Sequence, residues 1–184
     1  MAVLRRDDPY QLAVGMTGVK MGDRIVQVGC PDGDRLAAIA SKVGLSGRAV
    51  AIVPDDRSAA RVRKGAARAG VLVELDLAPP TRLPPADAAF DLVVVDDTGG
   101  LLGTMGAEDC TLTVREALRV LRPGGRIMVI GSAPRTGLGA LLSRTRGGPR
   151  FDPTPSLQAG GCRAVRTLAE REGLVFVEGM KPGA

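Results

Sequence analysis

The chain has 184 residues with a formal charge of +5, and 45% of its residues are hydrophobic but only 2% aromatic. That length suits one domain, and its core must be aliphatic. No apolar run approaches the roughly 20 residues of a membrane span, and the lack of any histidine excludes Ser-His triads, imidazole bases and His metal sites.

The first 20 residues form an N-terminal extension, with a helix expected around Pro9 to Met16. Arg5, Arg6, Asp7 and Asp8 stand where a signal peptide would need an apolar core, so the chain reads as cytoplasmic. Arg24 to Gly29 is the first short strand. Leu36, Ile39, Ala40 and Val43 recur at helical spacing over Asp34 to Val43, with Gly44 as C-cap. Arg48 to Val53 is the second strand. Asp55 or Asp56 caps a helix running to Ala69, with Ala59, Val62, Ala66 and Ala69 on its buried face and Gly70 after it. Val71 to Leu75 is the third strand. A Pro-rich loop, Ala78 to Ala86, leads to the fourth, Phe90 to Val95.

A Gly-rich loop, Thr98 to Gly106, then precedes a helix over about Cys110 to Leu121, stopped by Arg122-Pro123-Gly124-Gly125. Arg126 to Ile130 is the fifth strand. Residues 131–156 form an irregular, lid-like segment with a short helix at Leu138 to Ser143, expected to be the most mobile internal region. A helix near Arg163 to Glu172 and a sixth strand, Leu174 to Val177, complete the chain. Strands apolar on both faces, alternating with amphipathic helices, predict a single α/β domain over residues 1–184: a doubly wound, mostly parallel sheet covered on both sides.

In such a sheet, ligands bind beyond the C-terminal ends of the strands. The first such end reads Val28-Gly29-Cys30-Pro31-Asp32-Gly33-Asp34, a glycine-bearing turn into a helix. Ile25 to Gly33 resembles the first motif of class I S-adenosylmethionine methyltransferases, an apolar strand ending in acid-x-G-x-G-x-G. Phe90 to Asp96 resembles their fourth-strand motif. Ala117 to Ile130, with its helix ending in Leu-Arg-Pro-Gly-Gly before a strand, resembles the small-molecule methyltransferases of that family and is the most specific of the three. The likeness covers about Val19 to Val177. It implies a Rossmann-like fold with strand order 3-2-1-4-5, and S-adenosylmethionine as cofactor. The family sheet ends in two further strands, so this chain, with only Leu174 to Val177 left, is expected to carry a truncated C-terminal strand and lack the other.

The resemblance also implies cofactor-binding positions: Gln27, Gly29, Cys30, Pro31 and Gly33 in the first motif, Val53 and Asp55 after the second strand, Asp76 after the third and Asp96 after the fourth. Several depart from the pattern. Gln27 replaces the acid and Pro31 the middle glycine, removing an N–H and adding bulk where the methionine part of the cofactor passes. Val53 replaces the acid that takes the ribose hydroxyls. Asp55 either reaches round to the ribose or caps its helix; Asp76 either meets the adenine amino group or is a turn acid. Loss of a charged acceptor costs about 1.5–3 kcal/mol, roughly tenfold to a hundredfold in affinity. No catalytic residue is assigned, and Cys30, Cys110 and Cys162 show no metal spacing, so none is expected to hold a metal.

Two functions from different classes follow. One is a methyltransferase-like protein acting on a small molecule with weakened or lost cofactor binding. The other is a non-catalytic methyltransferase-fold subunit or scaffold. A third, weaker reading is an RNA-binding relative; Arg57, Arg61, Lys64 and Arg68 share a helix face, but scarce aromatics argue against single-strand nucleic-acid recognition. The expected open sheet edge at Val175 to Val177 predicts a homodimer or heteromeric contact there.

Overall fold

The computed structural model describes residues 9–133 and 152–183. Helix α1 (Gln11–Thr17) leads into β1 (Arg24–Val28), α2 (Gly33–Ser41), β2 (Arg48–Val53), α3 (Asp56–Ala69) and β3 (Glu74–Leu77). Then come β4 (Phe90–Asp96), α4 (Ala107–Val120), β5 (Leu121–Ser132), a short α5 (Thr154–Gly160) and the strands β6 (Arg163–Arg171) and β7 (Leu174–Met180). The seven strands form one sheet in the order β3-β2-β1-β4-β5-β7-β6. The first five pair in parallel, in the order expected from the sequence, and β7 runs antiparallel between β5 and β6.

Alternation along the strands explains the layers. Ile25, Ala49, Leu92, Val94, Met128, Ile130 and Phe176 face α1 and α2, while Ala51 and Val53 meet α2 and α3. The other side of the sheet, Val26, Val28, Val50, Ile52, Val93 and Val95, packs on α4 and on Leu157 of α5. The loop between β3 and β4 contains no helix. Instead Arg119 of α4 donates to the carbonyl oxygens of Leu83 and Pro85, and Leu83 N–H donates to Glu116, which pins the Pro-rich stretch to the helix.

The C-terminal third corrects the sequence reading. Arg163 to Arg171 is a strand rather than a helix, Leu174 to Met180 is a full strand pairing antiparallel with β5, and no strand of the family sheet is missing. Ala, Leu, Arg and Glu give the segment helical propensity, but tertiary pairing overrides it. Glu172 and Gly173 both have positive φ (56° and 75°) and join Arg171 to Leu174, the two-residue turn that closes a right-twisted hairpin. Because β7 lies inside the sheet, Val175 to Val177 are buried and the proposed contact at an open edge there loses its premise. The true edges are β3 and β6, and β6 carries exposed Arg163, Arg166 and Arg171 and two register shifts, features that discourage further pairing.

The lid-like segment is shorter than expected at both ends, since 131–132 belong to β5 and 154–156 to α5. Its predicted helix at Leu138 to Ser143 lies outside the described residues. Elsewhere β3 begins three residues later than expected, and β5 starts before the Pro-Gly-Gly turn, which it absorbs as an irregularity in register between Phe90 and Leu92.

Helices α2 and α3 approach closely at Gly33 and Gly65. A Cβ on Gly65 would overlap the Gly33 carbonyl, and one on Gly33 would overlap the Arg61 carbonyl. Gly65→Ala is therefore expected to lower stability by about 1–3 kcal/mol through overpacking, whereas Ala67→Gly on the exposed side of α3 should cost no more than about 1 kcal/mol; urea denaturation of both variants checks the contrast.

Candidate functional site

The C-terminal ends of β1, β2 and β4 open onto a cavity of about 210 Å³, lined among others by Gly29, Cys30, Pro31, Asp55, Arg61 and Asp96. It forms where parallel strands part. Gly29, at φ 80°, turns the chain out of β1, and a Cβ there would stand 3.0 Å from a methyl of Leu101 and 3.1 Å from the Asp96 carbonyl. The loop after β4 lies directly over that turn, and Gly99 fits against the ring of Pro31.

Five of the nine expected positions, Gly29, Cys30, Pro31, Asp55 and Asp96, thus meet in one cavity. The other four sit elsewhere. Gln27 is buried beneath the turn; its Nε2 donates to the Gly29 carbonyl at 3.0 Å, and its Oε1 has no partner among the described residues. Gly33 forms the α2–α3 crossing and lines a neighbouring cleft with Arg61, Lys64 and Arg68. Val53 is enclosed in the cluster with Leu36, Ala59 and Val62. Asp76 lies in β3 opposite Ile52, outside the cavity wall. Asp55 caps α3, accepting from Ser58 N–H at 2.7 Å, a bond that holds its carboxyl below the usual carboxylate range.

One residue that holds the site was not singled out in the sequence. Arg35 of α2 reaches the end of β4 and grips Asp96 with two hydrogen bonds, Nε to Oδ2 at 3.0 Å and Nη2 to Oδ1 at 3.1 Å; Nη2 also donates to the Thr98 hydroxyl. The side chains are 8% and 1% exposed, so this is a buried ion pair. Burial pushes the Asp96 carboxyl upward, while Arg35 and the hydroxyl and N–H of Thr98 pull it back. A signal existed: Arg35 lies four residues before Ile39, on the buried face of an otherwise apolar helix stripe. Its neighbour Asp97 is also buried, and its carboxyl, likewise raised by burial, accepts the Leu102 N–H at 2.6 Å, tying down the loop over the cavity.

Chemically, the cavity wall offers little acid–base capacity. Asp55 and Asp96 are engaged, and burial pushes the Cys30 thiol up to about 12, so it stays protonated at neutral pH. Among the described residues, no group of three His, Cys, Asp or Glu side chains is placed to hold a metal ion. The arrangement suits binding and alignment better than proton transfer.

Comparison with known proteins gives the class. Residues 25–125 match the model of the family described as methyltransferase domain, more than half of the chain, and the chain belongs to that family. It is 30% identical over 139 residues to the ubiquinone/menaquinone biosynthesis C-methyltransferase UbiE of Pseudomonas fluorescens, covering 73% of this chain and 50% of that one. The chain thus spans about half the length of that curated relative. In fold it resembles an S-adenosylmethionine-dependent methyltransferase from Aquifex aeolicus, with a TM-score of 0.72 at 19% identity over 95% of this chain and 89% of the other. It also resembles the [4+2]-cyclase SpnF, with a TM-score of 0.66 at 18% identity over 95% of this chain and 80% of the other. These likenesses establish the seven-stranded, Rossmann-like methyltransferase fold.

Two outcomes test the site. Arg35→Met leaves Asp96 buried without its partner and is expected to cost about 3–5 kcal/mol. In that variant the folded pKa of Asp96 rises further above its unfolded value, so the folded form binds more protons; the deficit against wild type is full above the variant's folded pKa and shrinks as pH falls toward the wild type's folded one. Urea melts at several pH values read both effects. Separately, with its pKa near 12 instead of 9, Cys30 should be alkylated about a thousandfold more slowly in the native protein than a free thiol; mass spectrometry after iodoacetamide treatment, native against unfolded, measures it.

Proposed function

We propose that this chain is an S-adenosylmethionine-dependent methyltransferase-like protein acting on a small molecule, with a weakened hold on the cofactor. The observation that carries the reading is the side-chain chemistry at three family positions: an amide at Gln27, a ring at Pro31 and an apolar side chain at Val53. S-adenosylmethionine brings a ribose with two hydroxyls, a cationic sulfonium and an amino-acid tail. Val53 is enclosed in the core and offers the ribose nothing, and the Gln27 amide already donates to Gly29. Pro31 and Leu101 both line the cavity at the turn. These residues do not fit the cofactor in the family's manner. The choice of a small-molecule substrate rests on the likeness to UbiE, whose name is that of a C-methyltransferase of ubiquinone/menaquinone biosynthesis. Methyl transfer between aligned partners needs no histidine, so the chain's composition is compatible with it.

The second reading, a non-catalytic subunit or scaffold, is favoured by one feature: the buried Arg35–Asp96 pair and the loop over Gly29 satisfy the site internally. In either case the domain acts with its C-terminal strand ends as the functional face.

Calorimetric titration with S-adenosylmethionine and S-adenosylhomocysteine separates the readings. Weak, saturable binding is expected for the first, and no heat for the second. The double variant Gln27→Glu, Pro31→Gly is expected to tighten binding at least about tenfold. A low-micromolar or tighter dissociation constant for the native protein would show that the cofactor site is intact, contrary to this proposal.

A further inference from the structure

At the end of the sheet opposite the cavity, three loops each carry one large aliphatic side chain into solvent. Met21 precedes β1, Leu45 precedes β2 and Leu72 precedes β3, and they are 80%, 98% and 86% exposed. The three strands are neighbours and enter the sheet from the same end, so the three tips stand in a row. The contacts agree: the Gly22 N–H donates to the Val43 carbonyl, the Met21 side chain lies beside Gly44, and Leu45 and Leu72 share the wall of one groove of about 500 Å³ with Ala40, Val43, Val71 and Val73.

The surroundings of the row are basic. Lys20, Arg24 and Lys42 are exposed at the same end and, among the described residues, form no ion pair with an acid. The nearby acids are committed: Glu74 to Arg48, Asp91 to Arg122 and Asp23 to the Lys20 N–H. Arg163 at the start of β6 and Lys181 after β7 add positive charge along that end of the sheet. Cores of protein–protein interfaces are enriched in aromatic residues and depleted of lysine, the opposite of this surface. Aliphatic tips ringed by Lys and Arg suit an anionic lipid surface, where buried apolar area and charge attraction add together. Among the described residues no helix is long and apolar enough to cross a membrane.

We propose that this end of the sheet docks on an anionic phospholipid bilayer, with Met21, Leu45 and Leu72 entering the acyl boundary and Lys20, Arg24 and Lys42 facing the headgroups. The proposal is independent of whether the cavity at the other end binds S-adenosylmethionine.

The test is flotation of the full chain with vesicles of phosphatidylcholine, alone or mixed with phosphatidylglycerol. Wild type is expected to float with the mixed vesicles and to be released by added salt. The triple variant Met21→Ser, Leu45→Ser, Leu72→Ser should lose at least about tenfold in partition. The double variant Lys20→Gln, Lys42→Gln leaves the aliphatic tips in place and should lose binding specifically to the anionic vesicles. Failure of wild type to float with them, or equal partition of either variant, overturns the proposal. So does a wild-type dimer in sedimentation that the triple variant dissolves while neither binds vesicles, since the row would then be a contact between copies of the chain.

Discussion

Helix α2 holds its place because it lies backbone to backbone on α3. Gly33 and Gly65 leave no room for a side chain between the two helices, and that close approach fixes where the first turn of α2 begins. Arg35 stands two residues further along. From there its guanidinium meets Asp96 at the end of β4 with both forks engaged, and the Thr98 hydroxyl completes the grip. The glycine crossing, the ion pair and the loop over the cavity are thus consecutive links of one chain of contacts. Bulk added at Gly33 would press on the Arg61 carbonyl and so be transmitted to the site, although Gly33 does not itself line the cavity.

The ion pair also sets the electrostatic character of that site. A lone carboxylate at Asp96 would leave an uncompensated charge beside Cys30, in a region where burial already disfavours charge. With Arg35 in place the charge on Asp96 is compensated. A buried pair of this kind is weak evidence for net stability, since its desolvation opposes its attraction. Its clearer effect is geometric, because two parallel hydrogen bonds fix the direction of the arginine and with it the rim of the cavity.

Much of this architecture was legible in the sequence where local and long-range preferences agree. β1, β2 and β4 are β-rich runs, buried on both faces and bounded by turn residues, and α3 has an apolar stripe, an Asp cap and a terminal glycine. Their bounds came within a few residues. Arg163 to Arg171 was misread because its composition favours a helix and its turn uses Glu-Gly, where Asn-Gly would have announced a hairpin. At the site, the glycine-bearing turn after β1 was legible as a strand-to-helix turn, and the role of the acid ending β4 through the resemblance to the family's fourth-strand motif. The enclosure of Val53 and the seating of Leu101 against Gly29 were not, because each depends on contacts between segments far apart in the chain. Arg35 occupied an intermediate position, visible as a charge on an apolar stripe but with no partner that spacing alone could name.

The place of β7 bears on the order in which the chain acquires its structure. β5 carries Ile127, Met128, Val129 and Ile130, all buried once β7 lies beside them. A ribosome must still add residues 133 to 173 after β5 before Leu174 can pair with Ser132. Throughout that interval the nascent sheet presents an apolar, unpaired margin, the kind of surface that recruits chaperones or other chains. The Glu172–Gly173 turn shortens the exposure, since it lets β6 and β7 form locally and arrive as a ready-made ribbon. In this protein the last hairpin is therefore as much a matter of timely closure during synthesis as of final stability.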